Sequence, residues 1–142
     1  MAKSFTASMR NWSNKAKRNA GLVVMQSVQD VGNAMIRPED GIMRGAPFKA
    51  GILPVDDGDL LASSFVAVGG SVTARGSKSK GPDFTAALAG IETGETIIVA
   101  LSSPYARRIE YGWGSLPGRL FTRQAVQQWE PFVQANAAKL KD

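Results

Sequence analysis

Between Phe5 and Met35 the apolar residues Phe5, Met9, Trp12, Ala16, Ala20, Val24, Val28, Val31 and Met35 return every three or four positions. That is the period of an α-helix and not of a strand, and nothing else in the chain limits the fold as strongly. The spacing predicts one long amphipathic helix running to about Arg37. Pro38 disfavours helical backbone in the residue before it, and the following "EDG" supplies turn formers. Gly21 costs about 1 kcal/mol against alanine inside a helix, but Leu22 to Met25 resume the apolar pattern, so a single helix with a bend near Asn19–Gly21 is expected. Lys3, Arg10, Lys15, Lys17 and Arg18 make its first half a basic rod, and Asp30 is its sole acid before Glu39.

The period disappears from Pro38 to Gly58, where three prolines and four glycines indicate an extended loop or arm at about 38–58. Asp56, Asp57 and Asp59 surround Gly58. Their spacing lacks the twelve-residue calcium loop and its closing glutamate, so turn formation and helix capping explain them. "SFVAV" (64–68) alternates as a strand does. The glycine, serine and lysine segment at about 71–83 reads as a basic, mobile hairpin tip. Strands are expected at about 84–91 and 96–102, the second rich in β-branched residues. Pro104 opens a short helix ended by Gly112, and Phe121, Ala125, Trp129, Phe132 or Val133, and Leu140 define a terminal helix that Pro131 should kink or divide. The order gives one α+β domain over 1–142, its long N-terminal helix and C-terminal helix packed on a small, mostly antiparallel β-sheet.

Cysteine and histidine are both missing from the 142 residues. Disulfides, thiolate and imidazole metal sites, cysteine nucleophiles and Ser-His-Asp triads are excluded by inventory, and no cofactor site or catalytic residue is expected. "GSKSKG" lacks the leading glycine of a phosphate loop. No stretch reaches the roughly 18 apolar residues of a membrane span, so no membrane partner and a cytoplasmic site of synthesis are expected. A net charge of +5 favours acidic partners, which nucleic acid or a protein face can equally supply.

The stretch "SPYARRIEYG" (103–112) resembles the "PYA…(V/I)E(F/Y)G" motif of the tail-completion, or minor tail and neck, proteins of long-tailed bacteriophages. "WGSLPGRLFTRQA" stands where that family carries a glycine-bearing loop, a "P-x-R-P-F" element and a terminal helix, with Pro117, Arg119 and Phe121 matching. Leu120 replaces the usual proline, and Thr122 and Gln124 stand where leucine and proline are common. "DDGDLLASSF" is similar to the family's "D-x-G-x-L-x-x-S" entry to its first strand, and the resemblance covers about two-thirds of the chain. It implies a non-enzymatic virion subunit: a homo-oligomeric ring of six copies or a multiple, seated between connector or head-closure proteins and the tail-terminator or tail-tube proteins. It would be found in the virion neck, and in the host cytoplasm during assembly.

Two readings compete at the "EYG" corner. A short helix that buries Tyr105, Ile109 and Tyr111 under the sheet is the plainer one. The other places Tyr105, Arg108, Glu110, Tyr111, Trp113, Arg119, Phe121 and Arg123 at a subunit contact, since aromatics and arginines are enriched in interface cores. Glu110 would then form either a local ion pair with Arg107 or Arg108 or a pair with Arg119 or Arg123 of a neighbour. As an acid catalyst it would lack a second carboxylate or nucleophile. Arg75, Lys78 and Lys80 are candidates to face genomic DNA in a channel, touching phosphates without reading sequence. A free, basic, non-specific nucleic-acid-binding protein is the alternative from a different class. Against it, the chain has no helix-turn-helix, RNA-binding aromatic motif or zinc module.

Overall fold

The computed structural model describes residues 4–36, 38–40, 51, 53–55, 58–92 and 94–140. The long helix, α1, runs unbroken from Phe5 to Met35. Ser4 caps it, its hydroxyl accepting the Ala7 N–H at 3.1 Å. Only the second half of α1 is covered: its buried residues are Ser27, Gln29, Gly32 and Met35.

Of the loop expected at 38–58, Pro38–Asp40 (β1) and Leu53–Val55 (β2) pair as a short parallel ladder. The remainder, with Asp56 and Asp57 of the acidic turn, lies outside the described residues apart from Gly51 and Gly58. Leu53 is fully buried. A one-turn helix, α2 (Asp59–Ala62), buries Leu60 and Leu61 and leads into β3 (Ser64–Val68).

β3 is the central strand of an antiparallel sheet, flanked by β4 (Ser71–Arg75) and β5 (Ile97–Leu101). The turn between β3 and β4 is Gly69–Gly70, both with positive φ, the geometry that a two-residue hairpin demands. This moves the hairpin tip from the place expected. Ser71–Arg75 is strand, and the lysines come after it in a loop held down by its own bonds. Ser77 N–H donates to the Lys80 carbonyl at 2.7 Å, and the Ser77 hydroxyl accepts the Lys80 N–H at 3.1 Å.

Phe84–Ala87, expected as the start of a strand, is instead a helical turn, α3. Asp83 caps it by accepting the Ala86 N–H at 3.1 Å. Alanines have no branched side chain to favour the pleat and are the strongest helix formers, so a cap residue at the start decides the conformation. The strand expected at 96–102 is β5.

The chain then forms α4 (Ala106–Tyr111), a minimal hairpin of β6 (Gly112–Trp113) and β7 (Leu116–Pro117), then α5 (Phe121–Gln127) and α6 (Trp129–Ala138). The terminal helix is divided as expected, but at Gln128 and not at Pro131. Proline is tolerated in the first turn of a helix, where its missing N–H has no intrahelical partner. The break therefore falls ahead of Pro131. Among the described residues no helix is long and apolar enough to cross a membrane.

The core lies between the second half of α1, helices α3 and α5, and the inner face of the sheet. Phe121, Leu53, Leu61, Leu88 and Val66 are its largest fully buried side chains. Phe84 sits against the notch at Gly32, where any Cβ would overlap its ring. A polar link joins α1 to α6: Asn136 donates to the Ser27 hydroxyl at 3.1 Å and to the Asp30 carboxylate at 2.8 Å.

Gly32→Val should lower the unfolding free energy by about 1–3 kcal/mol through overpacking. Gly21→Ala meets open space in the same helix and should raise it by up to about 1 kcal/mol. Urea denaturation followed by circular dichroism reads both.

Candidate functional site

The segment 103–123 folds into a tight corner. α4 begins at the Pro104–Tyr105 turn and stops at Gly112, whose φ of 88° is open to glycine at little cost. After the β6–β7 hairpin the chain returns antiparallel to α4's end: Arg119 N–H donates to the Ile109 carbonyl at 2.8 Å and Leu120 N–H to the Glu110 carbonyl at 3.0 Å. Gly118 passes so close to Glu110 and Tyr111 that a Cβ there would strike their backbone.

Glu110 ties the corner to the next helix. Its two carboxylate oxygens each accept a backbone N–H of α5 at 2.9 Å, one from Thr122 and one from Arg123. These amides belong to the first turn of α5, where N–H groups have no intrahelical partner and negative charge is favoured. Glu110 is 6% exposed. It is therefore a helix cap supplied from another helix, and neither the expected pair with Arg107 or Arg108 nor a pair with a neighbour's arginine describes it. The burial leaves no route for a sister copy to reach it.

Phe121 is corrected in the same way: it is 1% exposed and sits in the core beside Ala125. Its apolar bulk, which suggested a contact residue, is used inside the subunit.

Tyr105, Tyr111 and Trp113 behave in the opposite sense. The plain expectation buried the two tyrosines under the sheet, yet Tyr111 is 68% and Trp113 63% exposed, with Tyr105 at 40%. Of the three residues expected under the sheet, Tyr105, Ile109 and Tyr111, only Ile109 packs against the core. α4 has just six residues and one inward face, which Ala106, Ile109 and Glu110 fill. The Arg108 guanidinium lies 4.5 Å from the centre of the Trp113 ring, a cation–π contact worth about 0.5–1 kcal/mol at an exposed position. Arg123 is exposed and Arg119 half-buried.

The backbone at Leu120 has φ +53°, the positive-φ exception among the described non-glycine residues. Proline is locked near −65°, so the proline usual at this point of the resembling family does not fit this corner. The left-handed conformation costs roughly 1–2 kcal/mol, and the bonds on either side of Leu120 hold it. The Gly51 N–H donates to the Arg119 carbonyl at 2.6 Å and ties the backbone just before β2 to the corner.

Arg75, Lys78 and Lys80 lie apart from this corner, at the end of β4 and in the loop after it. All three are exposed. Lys78 Nζ is 3.5 Å from the Asp59 carboxylate, an exposed pair of small energetic weight.

The chain matches no protein-family model, and no curated protein or solved structure shows a significant similarity to it.

Sequence reasoning missed the role of Glu110. The signal available was a lone glutamate ten to thirteen residues before a helix that lacks an N-terminal Ser, Thr, Asp or Asn cap. Glu110→Ala should cost about 1–3 kcal/mol by leaving two amides without their acceptor, and Glu110→Gln, which keeps an acceptor oxygen, less than half of that, both read by chemical denaturation. Leu120→Pro should cost about 3 kcal/mol or more, since it forbids the observed φ and removes the donor to the Glu110 carbonyl.

Proposed function

We propose that this chain is a structural virion subunit, without catalytic activity, that closes a ring with its own copies at the head–tail junction of a long-tailed phage. In that position it completes or joins the tail, between connector or head-closure proteins on one side and tail-terminator or tail-tube proteins on the other. One observation carries the reading: Tyr111 and Trp113, with Arg108 stacked on the latter, are exposed at a corner whose backbone is fastened on three sides. Rigid, exposed aromatic and arginine side chains lose little conformational freedom on contact and are the residues that dominate protein interfaces. The "PYARRIEYG" resemblance supplies the setting, and a closed ring satisfies head-to-tail contacts without open-ended growth.

Non-specific nucleic-acid binding is the rival reading, favoured by the exposed Arg75, Lys78 and Lys80 and by the basic first half of α1. Salt separates the two, because phosphate contacts weaken steeply as salt rises. Light scattering should find discrete particles of six subunits or a multiple, with weak retention on DNA. A monomer bound tightly to DNA at low salt and released at moderate salt supports the rival. Combined Tyr111→Ala and Trp113→Ala should weaken self-association at least tenfold, and change monomer stability by no more than about 1 kcal/mol, the weight of the lost Arg108–Trp113 contact at an exposed position.

A further inference from the structure

Among the described residues, the first half of α1 is left largely exposed. Phe5 is 80%, Trp12 68% and Met9 48% exposed. Their spacing of four and three residues puts them on one stripe of the helix. Large apolar side chains aligned in this way on an exposed helix mark a contact surface.

Charge narrows what can cover the stripe. From Ser4 to Arg18 the helix carries Arg10, Lys15, Lys17 and Arg18 and no acid. Two such arms laid against each other would bring like charges together, which disfavours arm-to-arm pairing. The acceptor should be apolar with an acidic rim.

The subunit carries such a surface further along. An open groove of about 640 Å³ runs between α1 and the turn after α3, lined by Leu22, Met25, Ala89 and Ile91, with Glu92 at its rim. It continues past Val24 and Gly94 to Glu95 and Ile97. Leu22 and Val24 are 47% and 42% exposed there. Lys17 and Arg18 line its other end, so an incoming basic helix is directed toward Glu92 and Glu95.

The arm cannot fill its own groove. α1 is continuous, and Phe5 stands about 24 Å up the rod from Gly21 at 1.5 Å per residue. No described residue of the subunit fills the groove, and a second copy carries the basic, apolar-striped arm that suits it. We infer that residues Phe5–Arg18 of one copy dock in this groove of a second copy, the Phe5, Met9 and Trp12 stripe inward and the cations toward Glu92 and Glu95. Arm and groove are different surfaces, so the contact is head-to-tail, and a rotation that closes gives a ring. It rests on the reading of the chain as a self-assembling subunit and adds where the subunits clasp.

The chain has no native cysteine, so two full-length variants, Met9→Cys in the arm and Ala89→Cys in the groove, test the contact directly. Both positions are exposed. Under diamide oxidation, a mixture of the two should form the mixed disulfide dimer at least tenfold faster than either variant alone forms its own. Arg10→Glu with Lys15→Glu should abolish that preference, and adding Glu92→Lys with Glu95→Lys to the groove variant should restore it. Rings of normal mass with no mixed-disulfide preference would overturn the clasp and leave the ring reading standing. A monomer at every concentration, with no cross-link, would overturn both. Loss of DNA retention in the arm-charge variant without any cross-link would assign the arm to nucleic acid and also overturn the clasp.

Discussion

The domain is organised by how much of one helix can be covered. A rod of 31 residues is too long for a chain of this size to bury from end to end, so packing concentrates on its second half. There Gly32 lets the Phe84 ring approach the backbone, Met35 enters the core, and Ser27 and Asp30 hold Asn136 of α6. Helices α3, α5 and α6 take their places from these contacts. The sheet closes the other side of the core through Val66 on β3 and the half-buried Val99 and Leu101 on β5. The result, among the described residues, is an exposed basic first half of α1.

The corner from Tyr105 to Arg123 is a second, local consequence of the same economy. α5 starts without a capping side chain of its own, and the Glu110 carboxylate supplies one from α4. Because that carboxylate is buried and both its oxygens are occupied, α4 is fixed in rotation about its axis. Tyr111 then faces outward, while Ile109 packs against the core.

Much of this was legible beforehand where a pattern is local and periodic. The period of α1, the alternation of β3, the β-branched run of β5 and the glycine ending α4 each needed only neighbouring residues. Phe84–Ala87 was not legible as helix, because its apolar run fits a strand until Asp83 is credited as a cap. The hairpin turn was misplaced because the lysine and serine segment looks more loop-like than the Gly69–Gly70 pair that makes the turn. Among the candidate contact residues the sequence could rank chemistry but not exposure: Phe121 and Trp113 are both aromatic, and only one is at the surface.

What the amino-acid order determined by itself is the α+β class, the long N-terminal helix, the strands β3 and β5, and the exclusion of thiol and imidazole chemistry, since these depend on composition and on local spacing. Tertiary structure alone decided which half of α1 is covered, that Glu110 caps a helix through amides twelve and thirteen residues away, and that Tyr111 and Trp113 are left outside. The physical reason is that burial is a property of three-dimensional neighbours. A side chain's type shows what it would gain from being covered, and only the packed fold shows whether anything within the subunit covers it.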